Sequence, residues 1–160
     1  MKTTPPQRRV MAIDPGKVRI GLAISDALGI SLTPLGVVQG GEGAKERILE
    51  VVKREVPGAI VVGYPVNMDG SKGKQAAASK ALAESLAKEL PGVSVYLWDE
   101  RLTSYEATRI LEAADRTPSR DKSQIDVMSA KIILRSFLDA ERAGETLKPV
   151  DLSQNGSPKT

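Results

Sequence analysis

"MAIDPGKVRIGLAISD", residues 11–26, sets an Asp-Pro-Gly between two short runs of branched and apolar residues. The runs "RRVMAI" and "RIGLAIS" read as strands, because short β-branched stretches bounded by Pro and Gly favour extended chain. Pro15 presets φ and Gly16 tolerates φ > 0, which makes Asp14-Pro15-Gly16 a turn. A connection so short makes the two strands antiparallel neighbours. "ISLTPLGVV" reads as a third strand, entered through the break at Asp26-Ala27-Leu28-Gly29. Asp14 is then either a turn residue only or the first acid of a site.

Downstream the period changes. Ala44, Ile48, Val52 and Val56, with Leu49 beside them, recur at helical spacing ahead of the apolar strand "AIVVG" at 59–63. A second helix is expected over about residues 72–90, with Ala78, Leu82 and Leu86 on one stripe, followed by the strand "VSVYLW". Thr103 with Glu106 three residues on makes a capping box for a short helix. The last helix, about residues 123–142, is expected to bury Ile125, Ser129, Ile132, Ile133, Ser136, Phe137 and Ala140. Three antiparallel strands followed by alternating helices and strands imply an α/β fold, a mixed five-stranded sheet with helices packed on it. Residues 1–8 and 144–160 are polar, aperiodic and rich in Pro, Gly and Ser, so one domain over 9–143 between two tails is the expected organisation.

Composition narrows the chemistry. The 160 residues contain neither Cys nor His. That excludes disulfides, thiolate nucleophiles, zinc-thiolate sites and imidazole bases, and leaves carboxylates, Lys, Tyr, Ser, Thr or a hard cation on oxygen ligands. The 23 Lys and Arg against 20 Asp and Glu give a net charge of +3, which suits a polyanionic partner without requiring one. No apolar run reaches the roughly 20 residues of a membrane helix, and "MKTTPPQRRV" lacks the apolar core of a signal peptide. A cytoplasmic protein with no membrane partner is therefore expected.

Three acids fall at element ends: Asp14 after the first strand, Asp99 and Glu100 after the fifth, and Asp126 in the first turn of the last helix. Side chains alternate along a strand, so only one of Asp99 and Glu100 can face a shared site. Each acid also has a plain reading as a turn residue, a polar strand exit or, with Ser123, a helix cap. Against the cap stands the helical wheel, on which Asp126 shares a face with Ala130, Ile133 and Phe137. A carboxylate on a buried face needs a partner, and a cation shared with Asp14 supplies one without histidine.

The blocks "IDPGKVRIGLAISD", "VVGYPVNMDGSKGKQA", "DERLTSYEA" and "KSQIDVMSAKIILRSFL" together resemble the YqgF family, also called RuvX, over roughly residues 10 to 140. The resemblance implies a ribonuclease H-like fold and a metal-dependent nuclease acting at the 5′ end of pre-16S rRNA. A Holliday junction resolvase-like DNA endonuclease is the alternative, and a non-catalytic RNA-binding ribosome-assembly factor a further one. The opening Asp-x-Gly also suits an actin-like ATPase, whose two-lobed fold needs a much longer chain. Carried over by position, the family's acids fall on Asp14, Glu100 and Asp126, with Asp99 supporting. Tyr64 stands where the family pattern suggests Leu.

Under that resemblance two ions, Mg²⁺ or Mn²⁺, would activate water and neutralise the leaving oxygen, with Asp14 central and Glu100 and Asp126 flanking. Phosphates would be met by Lys17 and Arg19 beside Asp14, by Asn67, Lys72 and Lys74 in the loop "NMDGSKGK", by Arg101, and by Lys122 four residues before Asp126. Aromatic residues are few (Tyr64, Tyr96, Trp98, Tyr105, Phe137), so charge and nucleic-acid shape rather than a long base-stacking surface would guide recognition. Pre-rRNA, branched DNA and ribosomal precursor particles are the expected partners, and monomer and homodimer are both compatible with the sequence.

Overall fold

The computed structural model describes residues 7–67, 69–102 and 122–152, with the side chains of 122–124 excepted. The expected capping box at Thr103 and Glu106, Tyr105, and the outer parts of both expected tails lie outside these residues. Strands β1 (Val10–Asp14), β2 (Arg19–Ser25) and β3 (Leu32–Gln39) come first, then helix α1 (Ala44–Glu55), β4 (Ala59–Tyr64), α2 (Lys74–Glu89) and β5 (Ser94–Asp99). A 3₁₀ turn at Glu100–Leu102 follows β5, and α3 (Lys122–Arg142) closes the order.

The five strands form one mixed sheet in the order β3-β2-β1-β4-β5. β1 pairs antiparallel with β2 and parallel with β4, while β5 runs parallel to β4. The carboxyl ends of β1, β4 and β5 therefore open on one edge, the position at which open α/β sheets present their ligand crevices. Pro34 lies in β3, where the outer strand tolerates its missing N–H.

Alternation divides the sheet into two unlike faces. Met11, Ile13, Ile20, Leu22, Ile24, Ile60, Val62 and Val95 form a core with Ile48, Val51 and Val52 of α1 and Ala83 and Leu86 of α2. The opposite face carries smaller residues, Val10, Ala12, Ala23, Ala59 and Val61, and α3 lays Ala130, Ile133, Leu134, Phe137 and Leu138 on them. Tyr96, Trp98 and Phe137 fill the space beside β5, with Phe137 5.0 Å from Tyr96 and 6.0 Å from Trp98, centroid to centroid. Small residues under α3 let the helix axis come close to the sheet.

Several expectations shift on the structure. Val56 does not extend the α1 stripe; it caps the helix in a left-handed conformation (φ 51°) and is exposed. In α2 the buried stripe is Ala76, Ser79, Ala83 and Leu86, and Ala78 faces solvent. An Ala-rich helix offers several nearly equal apolar stripes, and the sheet chooses among them. Ile125 is exposed too: its turn lies on the sheet through the Asp126 backbone at Gly21, and Ile125 is on the side of the helix turned away from it. The segment after Gly144 runs across β5: Leu147 packs on the α3 side, Val150 on the α1/α2 side, and the Val150 N–H donates to Val95 O at 2.7 Å. Arg8, within the expected N-terminal tail, makes a two-pronged ion pair with Glu141 of α3 at 2.9 and 2.7 Å.

Gly21 sets how closely α3 approaches. A Cβ built there would collide with the backbone carbonyl of Asp126, and backbone cannot swing aside as a side chain can. Gly21→Ala should lower stability by about 2–4 kcal/mol, a fall in Tm of roughly 5–15 °C by thermal circular dichroism. Gly73→Ala, with open space around its Cβ and no positive φ, should change Tm little. Equal effects from the two substitutions would refute close contact at Gly21.

Candidate active site

Asp14 ends β1 directly opposite Gly21 on β2. Its position in the alternation places it on the α3 face with Val10 and Ala12, so it points under the helix rather than toward α1 and α2. The tight turn that follows uses Gly16 for space, since a Cβ there would strike the carbonyl of Arg19. Gly16 is absent from the glycines with positive φ, so clearance, rather than the expected left-handed backbone, is its contribution.

The strand order separates β1 from β5 by β4, and Glu100 must cross β4 to reach Asp14. Gly63 makes the crossing feasible: its missing Cβ would lie 3.5 Å from Glu100 Oε1 and 2.6 Å from the Ile133 side chain. This residue was not singled out from the sequence, although a glycine inside an otherwise β-branched strand signals a close approach. Glu100 continues the parity of Tyr96 and Trp98 toward α3, whereas Asp99 points elsewhere and is held by Arg101, whose Nη2 donates to Asp99 Oδ2 at 2.7 Å and whose backbone N–H donates to Oδ1 at 2.9 Å.

Asp126 reaches the same place from α3. The helix begins at Lys122, so Ser123 lies inside it and the capping reading of Ser123 and Asp126 does not apply. With its carbonyl against Gly21, Asp126 turns a half-buried carboxylate toward β2, where Arg19 Nε donates to Oδ2 at 2.8 Å.

The electrostatics of Asp14, Glu100 and Asp99 differ. Burial, aided by the negative charges of Glu100 and Asp126, pushes the Asp14 carboxyl up to about 7. Burial also raises Glu100, with Asp99 adding to the effect. Asp99 is held below the usual carboxylate range by its hydrogen bonds from Arg101. Among the described residues no hydrogen bond or ion pair reaches the Asp14 or Glu100 side chain. The donor set is oxygen only, which fits Mg²⁺ or Mn²⁺ rather than a softer metal. Among the described residues, however, no three acids are drawn together into a formed cation cage.

The expected phosphate contacts fall in three groups. Lys17 is exposed in the turn after Asp14, whereas Arg19 is engaged with Asp126. Lys72 and Lys74 are exposed at the start of α2, with Lys72 Nζ 5.8 Å from the Tyr64 ring centroid. Arg101 is folded onto Asp99, and Lys122 opens α3, its side chain outside the described residues. The 67–71 loop closes on itself: the Asn67 N–H donates to Ser71 O, the Gly70 N–H to Asn67 O and the Ser71 N–H to Asp69 Oδ1. Those N–H groups are occupied. The N-terminus of α2 has no side-chain cap and no acid in its first turn, and Gln75 Nε2 ties it to Pro15 O at 3.2 Å, beside Asp14.

The sequence profile of the RuvX family, described as Holliday junction resolvase, matches residues 8–140. A protein of Pelotomaculum thermopropionicum is 44% identical over 136 residues, covering 83% of this chain and 88% of its own. One of Myxococcus xanthus is 39% identical over 140 residues, covering 86% and 92%. Both carry the name "Putative pre-16S rRNA nuclease". Among solved structures, Thermus thermophilus RuvC in complex with Holliday junction substrate superposes with a TM-score of 0.64 at 22% identity, covering 89% of this chain and 99% of RuvC. The fowlpox virus resolvase bound to Holliday junction DNA gives 0.52 at 11% identity, covering 83% and 98%. These two likenesses establish the ribonuclease H-like fold.

The raised Asp14 carboxyl has a stability consequence in the absence of divalent ions. Its folded value lies above the unfolded value of 3.8, so the folded state is progressively penalised as pH rises from about 4 to about 7 and stays penalised above that. The penalty is about 4 kcal/mol at pH 8 and small at pH 4. Asp14→Asn should therefore raise Tm in chelated buffer more at pH 8 than at pH 4. Equal shifts at both pH values would contradict a buried, self-repelling acid.

Proposed function

This chain belongs to the RuvX family, and on that premise we propose that it is a nuclease hydrolysing phosphodiester bonds, with the 5′ end of pre-16S rRNA as its substrate and the cytoplasm as its location. The observation that carries the reading is Asp14, a half-buried acid that lacks a positive partner among the described residues and feels the charges of two further acids at the carboxyl edge of the sheet. Nothing in a purely structural role rewards that arrangement. A cation does, because it relieves the mutual repulsion and desolvation together.

Asp14, Glu100 and Asp126 would hold the cation, as a pair of Mg²⁺ or Mn²⁺ ions. Bound there, such ions polarise the phosphoryl oxygens and lower the pKa of water at neutral pH, which the absence of histidine otherwise leaves unassisted. The chain's own groups do the rest. Lys17 in the Asp14 turn and Lys72 and Lys74 at the start of α2 offer exposed positive charge, and the uncapped start of α2 is tied to that turn through Gln75 and Pro15. They would bind and orient the strand through its phosphates, so affinity should fall steeply with salt. Asn67 stiffens the loop that carries Lys72 through its bonds to Ser71. Arg101 would serve by fixing Asp99, and Lys122 would add a positive charge at the start of α3.

A four-way DNA junction is the second reading, favoured by the likeness to RuvC. Parallel cleavage assays on a precursor rRNA 5′ end, unrelated single-stranded RNA and a four-way DNA junction separate the two, each with Mg²⁺, Mn²⁺ or excess EDTA. Cleavage confined to the precursor end, and abolished by EDTA, is the expected outcome; junction cleavage alone would transfer the assignment to DNA. Cleavage that persists in EDTA would refute the cation reading. Glu100→Gln should reduce the rate at least 100-fold and Asp99→Asn far less, since Asp99 faces Arg101. The reverse ranking would move the third acid to Asp99.

A further inference from the structure

Arg19 stands out because the structure engages it with an acid of the site. Its Nε donates to Asp126 Oδ2 at 2.8 Å, in a contact that is about one-third exposed on the Arg side and one-quarter on the Asp side. The pair joins residues 107 positions apart in the chain, from the first residue of β2 to the first turns of α3. It is a one-point contact: among the described residues no partner is recorded for the two Nη groups or for Asp126 Oδ1. The other cations near this edge either stay exposed, as Lys17, Lys72 and Lys74 do, or are engaged outside the acid cluster, as Arg101 is with Asp99.

We propose that Arg19 is the internal counter-ion of the acid cluster, a positioning residue that holds Asp126 in the cation-free chain and competes with the divalent ion for it. The inference rests on the cation reading given above. Two effects of Arg19 on ion binding oppose each other. A hydrogen bond that orients a ligating carboxylate strengthens metal binding, whereas a fixed positive charge within a few ångströms of the ion weakens it. Here orientation is already supplied by the backbone, since the carbonyl of Asp126 is seated against Gly21 and the helix is locked to the sheet by Ala130, Ile133 and Phe137. Among the described residues no other cation is paired with an acid of the cluster, so repulsion decides the sign. Arg19 thereby keeps three mutually repelling acids compatible with folding and sets the ion concentration at which the site fills.

Mn²⁺ binding to the metal-stripped full chain, followed by electron paramagnetic resonance, tests this in the wild type and in Arg19→Gln, Arg19→Met, Arg19→Lys and Asp14→Asn. Arg19→Gln should bind Mn²⁺ about tenfold more tightly than the wild type, melt at a lower temperature without ions and gain more in Tm when Mn²⁺ is added. Arg19→Met keeps the aliphatic stem and gives the same readout should the Gln variant fold poorly. Arg19→Lys, which retains the charge, should return the affinity to within about threefold of wild type. Unchanged or weaker binding in both charge-deleting variants, with Asp14→Asn still impaired, overturns the counter-ion role and leaves the cation site intact. Equal Mn²⁺ binding by the wild type and Asp14→Asn, or none by either, removes the cation site and the counter-ion role with it.

Discussion

The contact of the Asp126 carbonyl with the bare backbone of Gly21 governs the rest of the active edge. A helix crossing a sheet normally rides on side chains, which hold it about 10 Å above the strands. Where two backbones touch, the helix drops, and a residue in its first turns arrives level with the ends of the strands. Ala12, Ala23 and Ala59 continue the low surface along the helix, and Ile133 and Phe137 fill what remains. Asp126 is thereby brought near enough for its charge to act on Asp14, whose strand partner is Gly21 itself. Gly63 repeats the device on β4, where the absent side chain opens the way for Glu100.

Bringing acids together in this manner runs against the stability of the ion-free chain. Asp14 is raised to about 7 chiefly by burial, and the neighbouring charges add to it. The fold tolerates the strain because both large cores are elsewhere, one on each face of the sheet and each dominated by fully buried apolar residues. The acids sit at the rim, where Arg19 meets one of them and solvent reaches the others in part. A divalent cation held there, as proposed above, would relieve that repulsion in the folded state and not in the unfolded chain, so ion binding and stability would be linked.

Much of this architecture was legible in the chain before its folding was considered. The shift from alternating strands to helical spacing after Ala44 gave the element order, and the lack of His and Cys left oxygen ligands and hard cations. Other readings failed where local pattern was degenerate. The Ala-rich α2 has more than one acceptable stripe, and the sheet selected Ala76, Ser79, Ala83 and Leu86 over the stripe through Ala78. Val56 is apolar and in phase, yet its helix has already ended. The polar stretch after Gly144 looked like a tail, but Leu147 and Val150 are enough to lay it across β5.

By itself the sequence determined the inventory: five strands, their helices, acids at three element ends, and a donor chemistry confined to oxygen. Periodicity and composition are local properties, and they survive without knowledge of what touches what. The tertiary structure alone decided the pairings. It inserted β4 between β1 and β5, gave Gly21 and Gly63 their work as clearances, turned Glu100 inward while Arg101 took Asp99, and brought Arg19 to Asp126 across 107 residues. The physical reason is that a charged side chain binds whichever opposite charge packing brings within about 4 Å, and packing is settled by the whole core rather than by neighbours in sequence.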